Sequence, residues 1–252
     1  MIDGKKVVAT IEGRMTSSRL PGKILLPLSG RPVMAHMIER HRRSKLVDAV
    51  VVATTTNASD DPVVALCEEM KCAYFRGSEN DVFARVAGAG EKYGAEFLLQ
   101  GMADCPLVDH RHMDICLTLL ASSGADVAGN EYPVTFPLGF NVRAYKFSTF
   151  RKAEQEDTDP AYREHAGYSI RSQPEKFRVV NWEAQGRMRW PSLRLTLDTP
   201  EDYTLISAVY DALYPKNSDF SAEDVVQFLR GRPDLVALNS EIKQKVPKLE
   251  RG

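Results

Sequence analysis

The stretch KKVVATIEGRMTSSRLPGK, Lys5 to Lys23, sets an apolar run directly against a short loop that carries Arg14, Arg19 and Lys23. Val7, Val8, Ala9 and Ile11 are too continuously apolar for a half-exposed strand and fit one buried on both faces. The loop interleaves its cations with Ser17, Ser18, Pro21 and Gly22, residues that restrict or free the backbone and offer donors.

Outward from this stretch, strand-like and helix-like patterns alternate. In PVMAHMIERHRR, Val33, Met34, Met37, Ile38 and His41 fall on one helical face. AVVVATTT (49–56) reads as the next strand. SDDPVV then opens a helix, with Ser59 or Asp60 as cap, Pro62 in the first turn, and Ala65, Leu66 and Met70 continuing its apolar stripe. The alternation goes on through CAYFRG (72–77), a helix from about Asn80 to Tyr93, EFLLQG (96–101), a helix from about Arg111 to Ser122, and ADVAG (125–129). This order implies an α/β fold: a doubly wound, mostly parallel sheet covered on both faces, with right-handed crossovers.

The rhythm changes over 131–190, which reads as an inserted smaller α+β subdomain beside the sheet, with a helix around Arg163–Ser172 and a strand in FRVVNWEA. LRLTLDTPEDYTLISAVYDAL (193–213) restores strand, turn and helix, with Asp198 at the strand end and Thr199-Pro200 opening the helix. Residues 214–252 read as a C-terminal helical brace, and 1–252 as one domain. No repeat or low-complexity segment interrupts it.

Composition narrows the partners. The 252 residues carry 33 basic and 34 acidic side chains, a net charge of −1, so no global field favours nucleic acid or an anionic membrane. No stretch approaches about eighteen consecutive apolar residues, and no signal peptide is evident, so a cytoplasmic location is expected. Cys67, Cys72, Cys105 and Cys116 lack CxxC spacing and read as reduced, buried side chains. His110 and His112 form an HxH pair without the further ligands a zinc site needs, and read as the start of a surface helix.

Ligands of open parallel sheets bind beyond the carboxyl ends of the strands. Three features lie there: the basic loop, Asp104 in GMADCPLVD, and Asp198. The loop is no Walker A motif, since Ser17 stands where Gly is required and Ile24 where Ser or Thr is; there is also no GxGxxG. Its cations, hydroxyls and flexible backbone suit a polyphosphate. Asp104 and Asp198 could share Mg²⁺, which takes one or two carboxylates plus phosphate oxygens and water. Positioning and charge stabilisation then carry the catalysis.

RMTSSRLPGKILLPLSGRPV resembles the signature Arg-x-x-Ser-x-Arg-Leu-Pro-Gly-Lys of the CMP-sugar synthetases, cytidylyltransferases that activate 3-deoxy-manno-octulosonate and sialic-acid-like sugars. The spore-coat polysaccharide biosynthesis protein F branch is the most similar, and VVATTTNASDDPV, FRGSENDVFARV, ADCPLVD, YREHAGYSIR and RLTLDTPEDYTLI match it in order. The resemblance covers about residues 5–213. It implies a nucleotidyltransferase fold, GT-A-like, and attack of a sugar hydroxyl on the α-phosphate of CTP to give a CMP-sugar and pyrophosphate, for surface polysaccharide synthesis. By position, Arg14, Ser17, Arg19 and Lys23 bind and polarise the triphosphate, Lys23 acts nearest the α-phosphate, and Asp104 and Asp198 hold the metal. Ser78 and Arg85 fall in a loop near the nucleotide. The resemblance, with the aromatic and arginine content of 131–190, also implies that this segment binds the acceptor and pairs two copies into a homodimer.

Two departures stand out. Ala103 replaces the glycine usual before the first metal aspartate, which narrows the backbone where phosphate approaches. Around Gly139, Leu138, Asn141 and Arg143 replace three acids, which favours an anionic acceptor if that segment lines its pocket, or is a strand with a solvated arginine if it does not. Competing readings are a GT-A glycosyltransferase using a nucleotide-sugar donor, which needs less cationic charge on the loop, and a non-catalytic nucleotide-binding homologue.

Overall fold

The first apolar run becomes strand β1 (Val7–Glu12), in which Val7, Val8, Ala9 and Ile11 are fully buried. The computed structural model describes residues 1–244. After β1 come the small hairpin β2 (Pro27–Leu28) and β3 (Arg31–Pro32), then α1 (Val33–Arg42), β4 (Ala49–Thr55), α2 (Asp61–Glu69), β5 (Ala73–Gly77), α3 (Val82–Lys92), β6 (Phe97–Met102) and α4 (His110–Ser123). The chain continues through β7 (Val127–Gly129), β8 (Arg143–Lys146), α5 (Phe147–Glu156), α6 (Pro160–Glu164), α7 (Tyr168–Ser172), β9 (Val179–Asn181), α8 (Pro200–Leu213), α9 (Ala222–Arg230) and α10 (Pro233–Ala237).

Seven strands form one sheet in the order β5-β4-β1-β6-β8-β7-β9. β8 runs against both neighbours, and the other six strands share one direction. Side chains alternate across it: Val7, Ala9 and Ile11 join a large core with α1, α4, α8 and α9, whereas Val8 packs toward Ala89 on α3. Both faces are therefore covered, which is why the central strands are apolar without a break. The doubly wound α/β architecture expected from the sequence is the one observed.

The stretch 131–190 differs from expectation. It does not lie beside the sheet: β8 is laid between β6 and β7, and β9 extends the edge at β7. The change in rhythm marks this reversal of strand direction and the shortness of its strands. The helix expected over 163–172 is two short helices, separated where Gly167 takes a positive φ of 71°.

Leu193–Leu197 was expected as a strand but, among the described residues, makes only one bridge, between Leu138 and Arg194. The amides of Leu195 and Leu197 donate to the carbonyls of Leu138 and Asp104, both at 2.7 Å. Those partners belong to different loops, so no ladder propagates. Thr199 caps α8 through a reciprocal capping box with Asp202. In the expected brace, α9 and α10 bury Val225, Val226, Leu229 and Leu235 in the main core; residues 245–252 lie outside the described residues. Among the described residues no helix is long and apolar enough to cross a membrane.

Candidate active site

The basic loop leaves the end of β1 and is shaped by its own residues. Gly22 adopts φ +70°, a conformation that suits glycine, and starts a single helical turn, Lys23–Leu25. Ile24 is driven into the core at 1% exposure, which fixes Lys23 beside it. Lys23 Nζ then donates to Asp198 Oδ1 at 2.8 Å and to the Leu197 carbonyl at 2.7 Å. Arg19 reaches the same oxygen at 3.0 Å, and Arg194 donates to Asp198 Oδ2 at 2.8 Å. Burial alone would push the Asp198 carboxyl up; Lys23, Arg19 and Arg194 overcome that and hold it below the usual carboxylate range.

Asp202 supports this cluster from the first turn of α8. It accepts from Arg194 Nε at 3.0 Å and from the amides of Asp198 and Thr199 at 2.9 and 3.1 Å. Asp104 sits in the turn after β6, and its carbonyl bonds the Leu197 amide, so the two candidate metal ligands are tied through adjacent backbone. Its carboxylate meets the Cys105 thiol at 3.4 Å.

The other half of the loop is clamped from the far side. Arg14 donates to Glu79 Oε1 at 3.3 Å and to its carbonyl at 3.2 Å, and Thr16 donates to the same carboxylate. Asn57 Nδ2 holds Glu79 Oε2 at 2.5 Å. Hydrogen bonds from Thr16 and Asn57, with the nearby Arg14 charge, keep the Glu79 carboxyl below its ordinary value. Asp60, expected as a possible helix cap, turns inward instead. It accepts from the Met15 amide at 2.7 Å, the Thr54 hydroxyl and Thr55 amide at 3.1 Å, and the Thr55 hydroxyl. A fully buried carboxylate thus pins the middle of the basic loop to the end of β4.

Of the remaining nominated residues, Ser17 lies half exposed on the loop. Ser78 is exposed, and its hydroxyl accepts from the Asp81 amide at 3.1 Å. Arg85 is buried and bonds the carbonyls of Ala53, Ser78 and Glu79, so it braces this turn from behind. The Ala103 methyl lies in the core. It is 3% exposed and packs against Gly13, where an added Cβ would lie 2.8 Å from the Ala103 methyl.

Arg143 is neither solvated nor free. Its Nε and Nη2 bond Glu131 at 2.5 and 2.6 Å, Asn141 joins at 2.8 Å, and Arg171 Nε stands 3.6 Å from Glu131 Oε2. Glu131 therefore supplies a largely buried acid, its side chain 11% exposed, that the segment around Gly139 lacks. Glu12, at the end of β1, accepts from Gln100 at 3.2 Å, and burial pushes its carboxyl up. The HxH pair is dispersed: His110 faces Asp219 at 3.1 Å, while His112 packs edge-on against Trp182. All four cysteines are buried and free.

Among the described residues no three His, Cys, Asp or Glu side chains converge as a metal site. Asp104 and Asp198 nevertheless suit Mg²⁺, whose remaining ligands are phosphate oxygens and water. Among the described residues Asp104 forms no ion pair, whereas Asp198 would exchange a cation contact for the metal.

A mostly parallel α/β sheet with a cationic loop and two aspartates at one end fits a nucleotide-handling protein. The chain belongs to the cytidylyltransferase family, whose pattern it matches over residues 8–225, and it is a nucleotidyltransferase. It is 31% identical to the spore coat polysaccharide biosynthesis protein SpsF of Bacillus subtilis (strain 168), over 90% of this chain and 95% of that one. A solved cytidylyltransferase from Leptospira borgpetersenii superposes with a TM-score of 0.87 at 28% identity, covering 96% of this chain and 99% of that one. CMP:2-keto-3-deoxy-manno-octonic acid synthetase complexed with CTP shares the fold, with a TM-score of 0.63 at 19% identity over 82% of this chain and 99% of that one.

Proposed function

We propose that this protein transfers the cytidylyl group of CTP to a hydroxyl of a sugar acid or similar anionic acceptor, releasing pyrophosphate, in surface glycan synthesis. The observation that carries the reading is the convergence of Arg19 and Lys23 on the one buried carboxylate of Asp198. In the free protein Arg19 and Lys23 are neutralised by Asp198 and Arg14 by Glu79; an incoming triphosphate exchanges with the carboxylates. Arg14 and Arg19 then orient the β- and γ-phosphates. Lys23, rigid beside buried Ile24, stabilises the charge that develops on the α-phosphate as the acceptor hydroxyl attacks. Asp104 and Asp198 would hold Mg²⁺, which when bound neutralises phosphate charge. The names of the relatives support CTP and a sugar-acid acceptor. The same reading makes the enzyme cytoplasmic, where CTP is available, and homodimeric through 131–190, where Tyr132 and Val134 are 46% and 55% exposed.

The test is pyrophosphate release with Mg²⁺, each of the four nucleoside triphosphates, and a panel of sugar acids and neutral sugars. Release from CTP with a sugar acid is expected. CTP binding without release from any pair would reduce the protein to a nucleotide-binding homologue.

A further inference from the structure

The segment YREHAGYSIR contains a histidine that the site described above does not use. His165 ends α6, and the chain around it is tied to both flanks of the site. Two residues before it, Arg163 Nε donates at 3.0 Å to Asp81, the cap of α3, which follows the Ser78–Glu79 turn that clamps the basic loop. One residue after it, the Ala166 carbonyl accepts from Gln100 Nε2 and Arg171 Nη1, both at 3.2 Å. The same Gln100 amide holds Glu12, two residues before Arg14. Gly167 then packs so closely that an added Cβ would lie 2.7 Å from the Tyr145 hydroxyl oxygen. The His165 backbone is itself engaged: its amide donates to Ala161 at 3.0 Å and its carbonyl accepts from Tyr168 at 2.9 Å.

Only the imidazole is left unengaged. His165 is half-buried, its ring makes no hydrogen bond or ion pair among the described residues, and neither nitrogen is sealed from solvent as His41 Nε2 is. The charged groups that face it are Glu164 beside it, Arg171 from α7 and Arg143 from β8. Glu12 and Glu131, the acids nearby, are already held by Gln100 and by Arg143. Burial, joined by the two arginines and opposed by Glu164, lowers the imidazole pKa below its ordinary value. The ring is therefore neutral at pH 7 and keeps a lone pair on one nitrogen.

We propose that His165 is the general base of the cytidylyl transfer and takes the proton of the attacking acceptor hydroxyl. Its loop spans the gap between the turn that clamps the basic loop and the Glu131–Arg143 cluster of 131–190, so the ring stands between the nucleotide side and the acceptor side. The hydroxyl O–H bond breaks as its oxygen bonds the α-phosphorus, and the proton passes to the free ring nitrogen. The bond from the α-phosphorus to the bridging oxygen breaks, and its electron pair leaves on pyrophosphate. The imidazolium then gives its proton to water, a step that Arg143 and Arg171 favour because they destabilise the charged ring. The inference rests on the transfer reading above and adds the group that receives the proton.

The experiment measures single-turnover pyrophosphate release by the full chain from CTP, Mg²⁺ and 3-deoxy-manno-octulosonate or N-acetylneuraminate, across a pH range of about 5 to 9. The wild-type rate should fall along a one-proton acid limb that lies below the ordinary histidine range. His165→Gln should lower the plateau by roughly two to three orders of magnitude, abolish the limb and leave CTP affinity within about twofold. In His165→Ala, added imidazole should restore the rate in proportion to its concentration, a response that a merely structural histidine does not give; this variant also carries the test if His165→Gln fails to fold. A His165→Gln rate within about threefold of wild type overturns the proposal. So does an acid limb that persists in the variants while imidazole restores nothing. In both cases wild-type release leaves the transfer reading standing. No release by the wild-type chain from CTP with any acceptor of the panel above removes that reading, and the role of His165 with it.

Discussion

Asp198 binds three cations at once, and that crowding sets what single substitutions do. Lys23→Ala leaves Arg19 and Arg194 on the carboxylate, so the fold should survive while the proposed stabiliser of the α-phosphate is lost. We expect kcat to fall by roughly two to three orders of magnitude, with a smaller change in CTP affinity. An unchanged kcat in steady-state assays would remove Lys23 from the mechanism. His41, 1% exposed, makes a different prediction. Its Nδ1 bonds the Met37 carbonyl at 2.7 Å, Nε2 has no partner among the described residues, and burial pushes its pKa down to about 4. The unfolded chain therefore binds a proton that the folded one refuses. Stability from this group is complete above about pH 6.5 and declines as pH falls toward 4, by about 2 kcal/mol between pH 7 and 5. Urea unfolding across that range should show the loss, and His41→Leu should flatten it whatever it does to absolute stability.

At the scale of elements, the site depends on loops pinned across strand ends. Asp60→Ala leaves the Met15 amide and two threonines without their buried acceptor, a cost of about 1–3 kcal/mol. Asp60→Asn preserves volume but presents donors to donors, so it should raise the KM for CTP several-fold with less effect on the KM for the acceptor. Equal changes in both constants would argue against a role specific to the loop. Gly13 and Ala103 form a second coupling. Gly13→Ala would press its methyl 2.8 Å from that of Ala103 and displace the loop, and Ala103→Gly in the same chain should restore melting temperature and activity. Such elements differ in how readable they are. β1, β4 and β6 announce themselves because burial on both faces demands unbroken apolar runs. β8 does not: only Ala144 and Tyr145 of its four residues are buried, and its reversed direction follows from pairing with β6, 43 or more residues away in sequence. Leu193–Leu197 has strand composition, but its partners are loops, which no local pattern reveals.

Over the whole molecule, the doubly wound sheet was legible because alternating strands and helices leave few other topologies. Arg14, Arg19, Lys23, Asp104 and Asp198 stood out because they follow strand-like apolar runs. Asp60, Glu79, Glu131 and Arg171 did not, since each acts through partners that only the fold brings near; Asp60 meets Met15 across 45 positions and Glu79 meets Arg14 across 65. Arg194 could have been noticed as a charge inside the apolar run LRLTL. Because no three metal-ligating side chains converge among the described residues, chelation should abolish pyrophosphate release without lowering the melting temperature of the ligand-free protein. Adding CTP with Mg²⁺ should raise it, by mass action. A chelator that unfolds the protein would reveal a structural ion.

The contact between Lys23 and Asp198 spans 175 positions. During synthesis the basic loop emerges early, yet its buried counter-charge is among the last parts of the sheet domain to leave the ribosome, and Asp202 follows later still. A nascent chain can pair β1 with β4 and β6 well before that, but its basic loop is then held by Asp60 and Glu79 and lacks the Asp198 carboxylate that seats Arg19 and Lys23. Enzymatic competence therefore arrives late and abruptly, as the segment through Asp202 docks. A release-time assay on ribosome-stalled chains should find no CTP binding until residues near 202 have cleared the exit tunnel.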